Sequence, residues 1–130
     1  MRKKYFVLFF LLLFILFLQF GLSPTLNYSS INNTPDGYDL ELSLTANQLV
    51  ILNENAFAYD VIEKTISNDF KKMQFCYDEY GYPCELNVIV YTNALTKLFN
   101  KPSFRFRYAQ EIPYQYDIAE RPDCFELICY

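Results

Sequence analysis

The chain has 130 residues, enough for one domain, and a formal net charge of −4. It contains no histidine, which excludes Ser–His–Asp and Cys–His catalysis within this chain and every histidine-ligated metal site. Its three glycines are isolated from one another, so a glycine-rich phosphate loop is also excluded. The sequence therefore predicts no catalytic residue, no metal ligand and no cofactor.

The N-terminus consists of a short basic end followed by a long apolar run. Residues 1–4 include Arg2, Lys3 and Lys4, and residues 5–22 contain one polar side chain, Gln19, and no charge. A helix over this run is about 27 Å long, close to the hydrocarbon thickness of a bilayer. We predict a transmembrane helix at 5–22, with residues 1–4 in the cytoplasm and residues 23–130 outside.

A cleaved signal peptide is the alternative interpretation of the same segment. Signal peptides have a similar basic start, but their apolar stretch is shorter, about 7–15 residues. The nearest small-x-small site, Gly21-Leu22-Ser23, is followed by Pro24, which favours an uncleaved anchor. Both interpretations place the rest of the chain across the membrane, and cleavage would make the protein secreted.

The exported part is acidic. All 15 acidic residues but only 8 of the 11 basic residues follow the apolar run, which gives 8 − 15 = −7. Nucleic acids and anionic lipid headgroups need basic surfaces, so neither is an expected partner of the exported part.

Residues 23–37 are polar and rich in Ser, Asn and Pro, and they are predicted to form a linker. A domain is then predicted over residues 38–130. Its first strand is YDLELSL, where apolar and polar residues alternate, and QLVIL at 48–52 is predicted as a second strand. A capping box starting a helix at Thr45 is the alternative for this second segment.

The next segment is the clearest helix. Asn53 is a suitable N-cap for ENAFAYDVIEKTI, whose apolar residues recur at helical spacing. Continuation of the helix would place Asp69 in its apolar face as a buried acid. We expect the helix to end at residues 67–69 instead, because Ser, Asn and Asp favour turns.

A hairpin is predicted next. Residues 70–78 and 85–91 alternate in strand fashion on either side of a three-residue loop at 79–81. This register would place Cys76 opposite Cys84, at about 5.5 Å between Cα atoms, within disulfide range. A short helix at 94–99 capped by Asn93 and strands at 104–108, 114–118 and 124–130 complete an α+β domain, with an antiparallel sheet packed on one main helix.

Outside the membrane, disulfides are the default expectation for the four cysteines, Cys76, Cys84, Cys124 and Cys129. Cys124 and Cys129 are too far apart within one strand to bond to each other. Free thiols and pairing between the tail and hairpin cysteines are the alternatives. A zinc site is disfavoured because the C-x2-C spacing is missing.

Two sets of charged residues are candidates for binding. Arg105 and Arg107 share one face of a predicted strand, where they could dock an acidic partner or pair with residues such as Glu111 or Glu120. Asp36, Asp39 and Glu41 lie close together, but they are expected on a solvent-facing strand surface rather than in a calcium site.

The leading functional hypothesis is a membrane-anchored extracytoplasmic domain that binds a protein partner at the cell envelope and is not an enzyme. A carboxylate- or metal-dependent hydrolase is the alternative from another class. A secreted effector or its immunity protein is the third hypothesis, if the N-terminal segment is cleaved.

Overall fold

The computed structural model describes residues 1–70 and 74–130. The elements in chain order are α1 (Arg2–Phe20), β1 (Thr25–Thr34), β2 (Gly37–Thr45), α2 (Glu54–Ser67), α3 (Tyr77–Tyr80), β3 (Glu85–Tyr91), α4 (Ala94–Leu98), β4 (Phe104–Gln110) and β5 (Phe125–Cys129). The α+β class is confirmed, with five strands in one sheet.

Helix α1 is long and apolar enough to cross a membrane, a property that signal sequences near an N-terminus share. Its residues 2–17 are all exposed, and only its last turn contacts the rest of the chain. There the buried Gln19 side chain bonds to the segment that follows β2.

The sheet has the order β1-β2-β3-β4-β5 and is mixed rather than antiparallel. Strands β2 and β3 are parallel, with Leu40 beside Leu86 and Leu44 beside Val90, while the other three pairings are antiparallel. Parallel neighbours need a long crossover connection, and the segment that holds α2 supplies it. The prediction of an antiparallel sheet was therefore wrong at its central pair.

Strand β1 occupies most of the predicted linker at 23–37. It pairs with β2 along its whole length through a two-residue turn at Pro35 and Asp36, and the Thr34 hydroxyl donates to the Gly37 carbonyl at 2.9 Å. Because β1 is an edge strand with only Leu26 fully buried, it lacks the apolar alternation that marks a strand in sequence.

The predicted hairpin at 70–91 was wrong. Of its first strand, residues 71–73 lie outside the described residues, 74–76 are irregular, and Tyr77–Tyr80 form α3. The strand at 85–91 is present as β3, but it pairs with β2 and β4. The segments at 48–52 and 114–118, predicted as strands, are irregular loop and turns.

The core lies between α2 and one face of the sheet. Alternate residues of the central strands are buried, as the sequence predicted, and they form one core cluster with the apolar side of α2. The strands contribute Leu40, Leu42, Leu44, Leu86, Val88, Val90, Phe104 and Phe106, and α2 contributes Phe57, Ala58, Val61 and Ile62. Full burial of each large side chain stabilises the fold by about 1.5–3 kcal/mol. One helix on one face leaves the other face of the sheet uncovered.

Two of the predicted helix caps are confirmed. The Asn53 side chain accepts from the Ala56 amide at 3.1 Å and starts α2. Asn93 and Thr96 form a capping box that starts α4. Helix α2 ends at Ser67 with Asn68 as its C-cap, within the predicted range 67–69, and Asp69 is exposed rather than buried in a continuing helix.

Candidate binding face of the sheet

The uncovered face, which we call the open face, carries the side chains that alternate with the core residues. Strand register arranges them in rows across the sheet. One row contains Tyr28, Ser43, Ile89, Arg105 and Tyr130, the next Ser30, Glu41, Asn87, Arg107 and Ile128, and the third includes Asn32, Asp39 and Glu85. The open face therefore mixes charged groups with exposed aromatic and aliphatic side chains.

Both predicted docking residues, Arg105 and Arg107, lie on the open face, but among the described residues only Arg107 has an ionic partner. The Arg107 guanidinium donates to the Glu85 carboxylate on the neighbouring strand, and this contact raises the pKa of Arg107. The expected partners Glu111 and Glu120 do not pair with it. Since Glu85 lies 22 positions away in sequence, only the β3–β4 register shows the pairing.

Arg105 is exposed, and among the described residues it makes no ion pair within 4.0 Å. Its backbone N–H and C=O bond to Tyr130 at 2.8 Å each, which fixes the strand beneath the side chain. Its side chain lines a shallow depression of about 400 Å³ together with Tyr28, Glu41 and Tyr130. An unpaired cation next to Tyr130, with Tyr28 further along the same row, suits a partner that presents both a carboxylate and apolar groups.

A second depression of about 600 Å³ lies where β4 and β5 leave the sheet. Arg107, Asp123 and Glu126 are among the residues that line it. Its charges are of both signs, and Asp123 is already held by Arg121, which lowers the pKa of the Asp123 carboxyl. Glu111 also lines it, so three of its four charged residues are acidic, and its one arginine is already paired with Glu85. Unlike the region of Arg105, this depression presents no unpaired cation among the described residues.

Asp39 has a buried carboxylate oxygen that lacks a hydrogen-bond partner among the described residues. Its Oδ2 accepts from the Tyr114 hydroxyl at 3.1 Å, while its Oδ1 is buried with no hydrogen-bond partner. Burial raises the pKa of Asp39, and the hydrogen bond from Tyr114 opposes that shift. The adjoining cavity is only about 10 Å³, room for at most one water molecule and too small for a substrate.

Acidic side chains do not form a metal centre. No group of three or more His, Cys, Asp or Glu side chains with suitable placement occurs within residues 1–70 and 74–130. Asp39 and Glu85 are neighbours in the β2–β3 register, but Glu85 is engaged by Arg107. The open face therefore offers contact surface rather than a set of reactive carboxylates.

All four cysteines are free thiols, so the predicted Cys76–Cys84 disulfide is absent. Cys76 is exposed just before α3, whereas Cys84 is partly buried at the start of β3 and its amide donates to the Tyr38 carbonyl. Burial raises the pKa of the Cys84 thiol. The hairpin that would bring Cys76 and Cys84 together does not form, because β3 pairs with β2 instead.

The thiol of Cys129 donates to the Asn55 side chain at 3.2 Å and joins β5 to the start of α2. Burial raises its pKa as well. A raised pKa reduces the thiolate fraction at neutral pH, which is the reverse of what a nucleophilic cysteine needs.

Sequence reasoning found the two arginines but missed most of the groups around them. Tyr28 lies in the predicted linker, and Tyr114 lies in a predicted strand that is a turn with φ of 61° at Tyr114. No local pattern marks either tyrosine, because both reach the open face through contacts distant in sequence.

Comparison with known proteins shows no relationship. No family model matches the chain. No curated protein and no solved structure matches it either.

Proposed function

We propose that the chain is a membrane-anchored extracytoplasmic binding module, without enzymatic activity, that holds a protein partner on its open face. The observation that carries this proposal is the exposed Arg105, which makes no ion pair among the described residues. It lies next to Tyr130 and in one row with Tyr28, on a sheet face that none of the described helices covers. Aromatic residues and arginine are enriched where proteins bind each other.

Helix α1 supports the anchoring part of the proposal. Its exposed residues 2–17 have no protein surface to cover, and exposure of so many apolar side chains to water would be strongly unfavourable. Arg2, Lys3 and Lys4 precede the apolar run, which favours a cytoplasmic N-terminus and an extracytoplasmic sheet.

The expected partner presents a carboxylate to Arg105 and apolar side chains to Tyr130 and, further along the same row, to Tyr28. Shallow depressions support binding of a protein rather than a small substrate, because small-molecule sites are usually enclosed. The acidic character of the exported part opposes nucleic acid as a partner.

Site-specific photocrosslinking in cells of the source organism tests the proposal. A photoreactive amino acid at Tyr28 should yield a discrete crosslinked product, whereas the same residue at Glu63, exposed on α2 in the other layer, should not. Arg105→Glu should abolish the Tyr28 product by charge repulsion. Equal products from both positions, or a product that survives Arg105→Glu, would contradict the proposal.

A secreted effector or immunity protein is a second candidate, because a signal sequence near an N-terminus would pass the same test of length and apolarity as α1. The intact mass of the native protein distinguishes the two. A full-length mass supports the anchor, and loss of roughly the first 20 residues supports secretion.

A further inference from the structure

The end of the sheet nearest α1 has a surface unlike the rest of the molecule. Here β2 and β3 finish while β1 and β4 begin, so three connecting segments meet: 21–24, 46–53 and 92–103. We call these segments together the α1 end. They contain large apolar side chains that remain exposed: Leu22, Leu49, Val50, Leu52, Leu95, Leu98 and Phe99.

These side chains are unusually exposed for their type. Leu98 is 76% exposed, Leu52 73% and Phe99 68%. Single exposed apolar residues are ordinary on protein surfaces, but a contiguous group at one end indicates an interaction site.

Hydrogen bonds hold the three segments together as one surface. The Gln48 amide donates to the Thr92 carbonyl at 3.0 Å, and the Asn93 side chain donates to the Gln48 carbonyl at 3.3 Å. The Asn47 side chain donates to the Ser23 carbonyl at 2.8 Å. The apolar residues of α4 are therefore fixed relative to those of segment 46–53.

The α1 end is continuous with the apolar helix. Gln19 in the last turn of α1 donates to the Val50 carbonyl at 2.6 Å and accepts from the Leu49 and Val50 amides at 3.0 and 3.1 Å. The apolar surface of α1 therefore adjoins the exposed apolar side chains of the α1 end.

The charges of the α1 end differ from those of the opposite end of the sheet. The three segments of the α1 end contain Lys97 and Lys101 and no acidic residue. At the opposite end, residues 35–36, 77–84 and 111–124 contain seven acidic residues and one arginine. The opposite end therefore has a net charge of 1 − 7 = −6 and lies away from α1, where it does not oppose contact with a membrane. Asp60 on α2 is an acidic residue near α1, because it lines a depression together with Gln19 and Phe20.

We infer that the α1 end rests on the bilayer that α1 spans, with the side chains of Leu49, Val50, Leu52, Leu95, Leu98 and Phe99 entering the boundary between headgroups and acyl chains. This inference rests on the proposed anchoring. Apolar residues flanked by lysines insert about 5–10 Å at such interfaces, with the ammonium groups in the headgroup layer. The strands then rise away from the membrane, and the open face is directed sideways.

The absence of tryptophan from the chain makes a clean fluorescence test possible. The full-length protein carrying Leu98→Trp is placed in nanodiscs of phosphatidylcholine with brominated acyl chains. We expect a blue-shifted emission that loses roughly half of its intensity relative to unbrominated lipid. Ile112→Trp, at a position that is also exposed (61%) but lies at the opposite end, is the matched control and should keep its emission.

Leu13→Trp, within α1, separates failure of this inference from failure of the anchor. Quenching of both Leu13→Trp and Leu98→Trp supports the inference. Quenching of Leu13→Trp without Leu98→Trp overturns it and leaves the anchor intact. No quenching at position 13 overturns the anchor and the inference together.

Leu52→Trp tests whether proximity to α1 alone explains the signal. If Leu52→Trp is quenched and Leu98→Trp is not, only the residues next to α1 touch lipid and the inference is wrong. A blue shift of Leu98→Trp without quenching by bromine also overturns it, because a protein surface would then cover α4.

Discussion

Gly37 begins β2 at a place where a side chain has no room. A Cβ at this position would lie 2.7 Å from the Cys84 Sγ and 3.3 Å from the Tyr114 Cδ1. This close approach lets the turn between β1 and β2 pack against the start of β3. It also accounts for the partial burial of the Cys84 thiol.

The substitution Gly37→Ala should destabilise the domain by about 1–3 kcal/mol, because the new methyl group overlaps the sulfur of Cys84. Urea unfolding of the full chain in detergent, followed by tyrosine circular dichroism, measures the change. Cys84→Ala removes the overlapping sulfur. Gly37→Ala should therefore cost less stability when it is added to Cys84→Ala than when it is made in the original chain. Additive effects of the two substitutions would contradict a direct contact.

At the scale of single residues, the sequence predicted exposure and caps but not partners. It assigned Arg105 and Arg107 to one strand face and Asn53 and Asn93 to helix caps, because these follow from local spacing. The contact between Arg107 and Glu85 depends on strand register, which distant pairing determines.

Elements with strong apolar periodicity were predicted well. Helix α2 and strands β2, β3, β4 and β5 all bury one face, so period and burial agree. Strand β1 was missed because an edge strand buries little and needs no apolar alternation. The hairpin prediction was wrong. Gly81 between the two cysteines has the sequence pattern of a turn, but β3 pairs in parallel with the buried strand β2 instead.

Asn68 shows how the segment after α2 is tied back to the helix. It has φ of 58° and ψ of 43°, the left-handed conformation that ends many helices. Its side chain accepts from the Phe75 amide and donates to the Phe75 carbonyl, both at 2.8 Å. One residue therefore terminates α2 and positions the chain that leads to α3.

Two substitutions at Asn68 separate the contribution of its left-handed backbone from that of its side-chain hydrogen bonds. Asn68→Gly keeps the left-handed conformation and loses both hydrogen bonds, and it should cost about 1–2 kcal/mol. Asn68→Ala loses the hydrogen bonds and adds the left-handed penalty, for a total of about 2–4 kcal/mol. Urea unfolding measures both. Equal stability of the two variants would show that the backbone conformation does not matter here.

For the whole molecule, the proposed function depends on how α1 is joined to the sheet. Gln19 is the one polar side chain in residues 5–22, and the structure shows it buried against segment 46–53 rather than exposed with the rest of α1. A flexible linker would let the sheet turn freely at the membrane. Instead β1 starts four residues after Gly21, and Gln19 clamps the junction.

Replacement of Gln19 by leucine should loosen this junction without affecting the sheet. Gln19→Leu removes three hydrogen bonds, so the Leu49 and Val50 amides lose their acceptor. Loss of even one net bond, worth about 1 kcal/mol, should speed their hydrogen exchange several-fold. Hydrogen exchange of the full chain in nanodiscs, read residue by residue, measures this.

The Ala46 and Gln48 amides serve as internal controls, because they donate to Tyr91 and Thr92 carbonyls and should exchange as before. Phe17→Leu, at an exposed position of α1, is the control for a change within the helix and should leave all four amides unaffected. Unchanged exchange at Leu49 and Val50 in Gln19→Leu would mean that Gln19 does not couple the helix to the sheet. The direction of the open face relative to the membrane would then depend on residues 21–24, where the Asn47 side chain donates to the Ser23 carbonyl.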